Sequence, residues 1–319
     1  MFEIALLDVV SFIRQGSAAI AGAGALFGLF FFSGGKKQLF RAIDQNTVIA
    51  SVVYIVAWLV GWMIRVPAVA AHVGISLEPA IDDFARGYMV QWPLVIILAI
   101  LVLTSRRGFA RMPQAYNLSF FVVMSILIST YGVAASFGRQ ELSYILHGWH
   151  SILTLGTVVV LDYLFFASRN DRRQLAMLTE TFSWFTVLIF VGLGLDWIST
   201  YFILPGALDA SQRFFFVQTL IVIIVINGAL LSGPLTRAAS TYLSAQKKLP
   251  RNLHLGLGLM GVISLVSWVS ITFLDFVQDI GLTYGQLATV YLLLIAGGFL
   301  THLVIDGWPL GTKKIFRNL

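Results

Sequence analysis

Nine apolar stretches, each long enough to cross a lipid bilayer, follow one another along this chain of 319 residues. A hydrocarbon core about 30 Å thick needs roughly 20 helical residues to cross it. A soluble fold could not cover a composition of 58% hydrophobic and only 11% charged residues. The sequence therefore predicts an all-α, polytopic integral membrane helix bundle that forms a single membrane-embedded domain over residues 1–319. The predicted spans are 13–33, 47–66, 88–104, 118–137, 144–167, 180–201, 213–233, 255–276 and 284–305.

Lysine and arginine are concentrated in every second segment between these spans, and such a bias marks the cytoplasmic side of a membrane protein. The pattern predicts that the N-terminus lies outside and the C-terminus in the cytoplasm. The net charge of +6 comes from these short clusters, so no nucleic-acid partner is predicted. The predicted partner is the lipid bilayer, with other membrane subunits or a second copy of the chain beside it. The sixteen clustered basic residues are Lys36, Lys37, Arg41, Arg106, Arg107, Arg111, Arg169, Arg172, Arg173, Arg237, Lys247, Lys248, Arg251, Lys313, Lys314 and Arg317.

Three pairs of spans are predicted to form hairpins that run inward and back: the first with the second, the fifth with the sixth, and the seventh with the eighth. The first and fifth spans end alike, with Leu29–Ser33 and Leu164–Ser168 each followed by basic residues. This likeness indicates an internal repeat, or only the aromatic and basic residues common to membrane exits. The hairpins are similar to those of bacterial inner-membrane proteins of the copper-resistance CopD type. The predicted location is the bacterial cytoplasmic (inner) membrane.

The fifth span is the most polar of the nine. At 100° per residue its polar side chains fall within an arc of about 140°. A carboxylate exposed to lipid near the bilayer centre costs about 2.5 to 3.5 kcal/mol. We therefore expect this face to point into the bundle or a wet cavity, with Arg169 or Arg172 as a partner for Asp162. The face consists of His147, His150, Ser151, Thr154, Thr157 and Asp162.

Histidines at the predicted outer side are the candidate metal ligands. His147 and His150 are three residues apart and therefore neighbours on one helix face, and His72 ends the second span at the same predicted depth. With carboxylates of the outer loops they could hold a divalent metal, and Met63 and Met89 on that side would suit copper. The alternative is that these histidines only form hydrogen bonds to neighbouring helices.

A second polar cluster is predicted at the cytoplasmic end of the ninth span. His302 and Asp306 are four residues apart there, and such a pair could relay protons or form a hydrogen bond at the helix end. His254 is expected to contact lipid headgroups. Asp196 and Asp275 close the sixth and eighth spans on the outer side, where they cap an entrance or mark the water boundary.

The chain has no Walker loop, no HExxH, no GxSxG and no cysteine, so no enzymatic activity and no catalytic residue is predicted. The leading hypothesis is a membrane protein that binds or conducts a small ion, proton or metal along the polar face of the fifth span. A haem- or metal-binding redox subunit, with its cofactor at the outer histidines, is one alternative. A non-catalytic scaffold subunit of a membrane complex is another. The residues assigned to the ion path are His147, His150, Thr154, Asp162, His302 and Asp306.

Overall fold

A computed structural model describes the backbone of residues 2–31, 37–73, 91–135, 139–168, 171–199, 211–245, 249–276 and 281–307. Within these ranges the chain is all-helical and contains no strand. The predicted all-α fold class is confirmed. The helices are α1 Phe2–Phe31, α2 Lys37–Val73, α3 Gln91–Arg111, α4 Pro113–Ala135, α5 Arg139–Ser151, α6 Thr157–Ser168, α7 Arg172–Ile198, α8 Gln212–Leu230, α9 Thr236–Ser244, α10 Arg251–Phe276 and α11 Tyr284–Gly307. Two π-helical turns, Ile152–Gly156 and Leu231–Leu235, join α5 to α6 and α8 to α9.

Among the described residues, seven helices are long and apolar enough to cross a membrane. The sixth predicted span adds an eighth if Arg173–Thr179 and Trp184–Ile198, the two halves of α7, form one bent span. The fourth predicted span, 118–137, lies on α4, which is not among these helices. Several long apolar helices indicate an integral membrane protein, whereas the count of nine spans and their orientation stay predictions.

Local sequence signals explain several helix boundaries. Pro113 begins α4 and Pro93 is the third residue of α3, and both positions belong to a first turn, where the missing N–H breaks no helical bond. The carboxylate of Asp171 accepts hydrogen bonds from two N–H groups in the first turn of α7, and the Ser211 hydroxyl accepts one from α8. These caps provide acceptors for backbone N–H groups that have no partner within the first turn of a helix.

One continuous helix, formed by α5, the first π turn and α6, lies between the two hydrophobic cores of the bundle. We call it the central helix (139–168). Its residues Ile152, Val160 and Leu164 belong to a core shared with α1, α2, α3, α4 and α7. Leu155 and Val158 belong to a core shared with α8, α10 and α11. The central helix therefore joins the two parts of the bundle.

Small residues allow two helices to approach the central helix closely at its π turn. A Cβ atom on Gly156 would collide with the main chain of Ala19 in α1. On the other side, a Cβ atom on Gly192 of α7 would lie 2.6 Å from Cγ2 of Thr154. Glycine at such contacts is typical of membrane helices, which gain association energy from close packing.

The three predicted hairpins pack as pairs. A Cβ atom on Gly24 of α1 would lie 2.5 Å from the hydroxyl of Thr47 in α2, and α7 packs on the central helix as described above. The Asn227 amide of α8 donates a hydrogen bond of 2.9 Å to the carbonyl of Met260 in α10. The pairing of these spans is thus observed, whereas an internal repeat stays a prediction.

Candidate functional site

The polar face of the central helix points into the protein. His150, Ser151, Thr154 and Thr157 are each at most 5% exposed. These four residues thus lie inside the bundle, as expected from the cost of polar groups in hydrocarbon, whereas His147 and Asp162 are half-buried. The opposite side is buried as well, because Gly22 of α1 packs against Ile152 there, and all five residues of the π turn are buried.

The π turn interrupts the regular spacing of this polar face. A π turn holds more residues than an α turn, so side chains after Gly156 are rotated from the directions that 100° per residue assigns. His150 and Asp162 are also about 18 Å apart along the axis, at 1.5 Å per residue. The polar residues consequently line two separate cavities rather than one continuous stripe.

The first cavity, of about 1010 Å³, is lined by residues near the end of α5, α7 and α10 and near the beginning of α8 and α11. We call it the His147 cavity. Its lining includes two histidines, two carboxylates, one arginine and two amides. These polar residues are His147, His150, Asp196, Gln212, Arg213, Gln218 and Asp275.

His147 lies between two carboxylates from different helices. Its Nδ1 is 3.2 Å from Oδ1 of Asp196, and its Nε2 is 3.8 Å from Oδ2 of Asp275. Because carboxylate oxygens accept hydrogen bonds, a doubly protonated imidazole donates toward both of them. Arg213 lies within electrostatic range of Asp275. The His147 and Asp196 side chains are 32% and 27% exposed, so this cluster meets solvent while remaining largely enclosed.

His150 lies one turn deeper than His147. Its Nδ1 is 3.0 Å from the carbonyl oxygen of Gly192, and because a carbonyl only accepts, Nδ1 carries a hydrogen, which leaves Nε2 of the neutral ring with a lone pair. The rings of His147 and His150 stack with centroids 5.6 Å apart, and the indole of Trp268 lies 5.9 Å from His150. The two imidazoles thus lead from the cavity surface toward the protein interior.

The second cavity, of about 290 Å³, lies toward the other end of the same helices. We call it the Asp162 cavity, and its ionisable lining residues are Asp162, His254 and His302. The rings of His254 and His302 stack with centroids 5.9 Å apart. Gly258 on α10 leaves room for the His302 ring, which a Cβ atom there would overlap. Oδ2 of Asp162 is buried and has no hydrogen-bond partner among the described residues.

Four apolar side chains line both cavities. One end of each cavity therefore meets the same short layer of side chains. Aromatic rings form half of this layer. Its members are Phe190, Leu193, Val225 and Trp268.

The residues predicted for an ion path do not all lie in one cavity. His147 and His150 meet in the first cavity, and Asp162 and His302 meet in the second. Thr154 lies between them on the central helix but lines neither cavity, because its hydroxyl donates to the carbonyl of His150 at 2.7 Å and its methyl group packs on α7. The side chain of Asp306 lies outside the described part of the structure.

The metal hypothesis depends on a residue that the structure does not describe. Among the described side chains, no three of His, Asp or Glu are placed to hold a metal ion together. The third proposed ligand, His72, is in α2, but its side chain lies outside the described residues, as do those of Arg169 and Arg172.

The structure adds three residues to the candidate site that the sequence analysis did not assign to it. Asp196 and Asp275 are the partners of His147, and His254, expected at lipid headgroups, stacks on His302 inside a cavity. The common depth of Asp196, Asp275 and His147 was visible from the order of the spans. Which of them face one another depends on helix rotation, which the sequence does not show.

The chain matches no protein-family model, no curated protein and no solved structure. The similarity to CopD-type proteins and the functional hypotheses therefore stay predictions.

Proposed function

We propose that the protein binds a small cation, a proton in the simplest case, and passes it along the central helix between the His147 cavity and the Asp162 cavity. One observation carries the proposal: ionisable residues of a single buried helix line two cavities toward opposite ends of the bundle, and the two cavities share Phe190, Leu193, Val225 and Trp268. Intramembrane ionisable residues commonly mark ion paths and proton relays.

The His147 cavity supplies the groups that would collect the cation. Asp196 and Asp275 provide negative charge, and His147 between them can exchange a proton with either carboxylate. The free lone pair on Nε2 of His150 provides the next acceptor, one turn further along the helix. A histidine pair suits this step because imidazole is the side chain that binds and releases protons near neutral pH.

The Asp162 cavity supplies the acceptor on the other side. Asp162 is the carboxylate of this cavity, and His254 of α10 and His302 of α11 also line it. The shared apolar layer would oppose ion passage at rest, since transfer of a bare charge through hydrocarbon is costly. Movement of these four side chains, or entry of water between them, would then control the flux.

For the cellular setting we propose a bacterial cytoplasmic (inner) membrane. Basic residues at the ends of α3, α10 and neighbouring helices would face the cytoplasm. In this orientation the His147 cavity opens outward and the Asp162 cavity inward. The proposed direction of exchange is therefore between the outer medium and the cytoplasm.

The test is flux into liposomes that contain the purified full chain. A proton-sensitive dye inside the vesicles reports proton entry when a potassium diffusion potential is applied, and Na⁺ and K⁺ dyes are used in parallel. We expect flux above that of empty vesicles, and a reduction of about tenfold or more in both Asp162→Asn and His147→Gln. Each substitution removes the proton-binding group with little change in shape.

Asp44→Asn is the matched control. Asp44 is also a buried carboxylate, held by the Asn117 amide at 3.4 Å, but it lines neither cavity. Its substitution should leave the flux unchanged. Equal flux through all variants, or no flux of any of these ions through the unmodified chain, would refute the proposal.

A haem- or metal-binding redox subunit is the second candidate. The observation in its favour is His150, whose Nδ1 bonds a carbonyl while Nε2 keeps its lone pair, as is usual for histidines that ligate metals. An absorption spectrum and elemental analysis of the purified protein test it. A Soret band, or a stoichiometric metal lost in His150→Ala, would support this candidate over ion passage.

A further inference from the structure

The Asp162 cavity combines a mostly apolar wall with a carboxylate that has no hydrogen-bond partner in the described part of the chain. Oδ2 of Asp162 is buried without a hydrogen-bond partner among the described residues, and a Cβ atom on Gly261 would lie 3.3 Å from Oδ1. A buried carboxyl group without a partner is unfavourable. A ligand that brings a positive charge or a hydrogen-bond donor to Asp162 would remove that cost.

Five aromatic side chains contribute to the wall of this cavity. Aromatic faces attract cations within about 6 Å of the ring centre, and they also pack against flat apolar groups. The remaining wall consists largely of aliphatic side chains and glycines, with a few hydroxyl groups and the imidazoles of His254 and His302. The aromatic lining residues are Phe165, Phe182, Phe185, Phe190 and Trp268.

The size of the cavity limits the ligand. A volume of about 290 Å³ is at the lower end of the range for small-molecule sites, so one or two fused rings with a short substituent fit better than a drug-sized molecule. A single carboxylate can compensate one positive charge. Both limits point to a compact monovalent ligand.

We propose that the Asp162 cavity is a binding site for a monovalent arylalkylamine, with its ammonium group at Asp162 and its ring among the phenylalanines. This assignment goes beyond the proposed ion passage, because binding at the cavity does not require that any ion cross the bundle. The proposed ligand is an organic cation with a flat apolar group. A path that carries only protons would not require a site for such a ligand.

The experiment is equilibrium dialysis of the full chain in lipid nanodiscs with 1-naphthylmethylamine, corrected with empty nanodiscs. The neutral isostere 1-naphthalenemethanol has nearly the same shape but no charge. We expect saturable binding of one amine per chain, and at least tenfold weaker binding of the alcohol. If Arg169 or Arg172 already neutralises Asp162, the two probes will bind alike, and that result would overturn the proposal.

Two variants locate the site. Asp162→Asn should weaken amine binding at least tenfold and leave alcohol binding unchanged, whereas Asp44→Asn should alter neither. An unchanged affinity for the amine in Asp162→Asn, or no saturable amine binding by the unmodified chain, would overturn the assignment. The comparison of amine with alcohol on the unmodified chain remains decisive even if Asp162→Asn fails to fold. Ion flux is measured separately, so failure of one proposal leaves the other standing.

Discussion

At the scale of single residues, His147 is the best-defined group of the site. Its two ring nitrogens face carboxylates on two different helices, at 3.2 and 3.8 Å. The side chain therefore connects the central helix to α7 and α10 in addition to any part in ion binding. The position of the His147 side chain therefore depends on the packing of the central helix, α7 and α10.

The unequal distances predict unequal coupling energies. A double-mutant cycle between His147→Gln and Asp196→Asn should give a coupling of about 1 kcal/mol or less, because partly exposed pairs contribute little. The cycle with Asp275→Asn should give a smaller value. Unfolding by a denaturing detergent in mixed micelles, followed by circular dichroism, measures both. A larger coupling for Asp275 than for Asp196 would contradict the geometry.

At the same scale, the sequence identified part of the candidate site. His147, His150, Asp162 and His302 were recognised because ionisable residues in apolar spans are rare and costly. The carboxylates that face His147 were seen only as residues at the water boundary. Their pairing requires that three helices turn specific faces toward one another, and single-sequence periodicity does not contain that information.

At the scale of elements, the π turn Ile152–Gly156 is where the central helix meets its neighbours. Thr154 packs against Gly192 of α7 there, and the same Gly192 accepts the hydrogen bond of His150 through its carbonyl oxygen. The packing of α7 thus sets the position of the deeper imidazole. No residue pattern in this stretch marks a π turn, so an ideal helical wheel misplaces the residues that follow it.

Glycine substitutions in α7 test this contact. Gly192→Ala should destabilise the protein by about 1–3 kcal/mol, as overpacking does, because its Cβ would lie 2.6 Å from Thr154 and 3.0 Å from Leu153. Gly194→Ala is the matched control, since nothing lies within 4 Å of a Cβ atom there. Unfolding in a denaturing detergent measures the free energy of unfolding of both variants. Equal stability would show that α7 does not press on the π turn.

At the scale of the whole molecule, the two hydrophobic cores and the two cavities meet at the central helix. The ends of the bundle differ chemically, because one carries the His147 cavity and the other the Asp162 cavity and exposed arginines such as Arg107 and Arg251. This asymmetry matches the alternation of basic loops along the chain. It makes the orientation a property that can be measured directly.

The absence of native cysteine makes the chain suitable for accessibility labelling. Leu282→Cys, at an exposed position of the His147 cavity, should react with a membrane-impermeant maleimide in intact cells. Met112→Cys, exposed between α3 and α4, should react only after the membrane is permeabilised. The opposite labelling pattern would reverse the predicted orientation.

The sequence by itself determined that the chain is all-helical, that several of its helices are suited to a membrane, and that the polar side of the fifth span turns inward. Those properties follow from the hydrophobicity of contiguous residues and from the cost of polar groups in lipid. Only the tertiary structure decided that Asp196 and Asp275 face His147, that Asp162 and His302 share a cavity, and that Thr154 lines neither one. These contacts depend on the rotation, local winding and neighbours of each helix, which arise from packing between residues far apart in the chain.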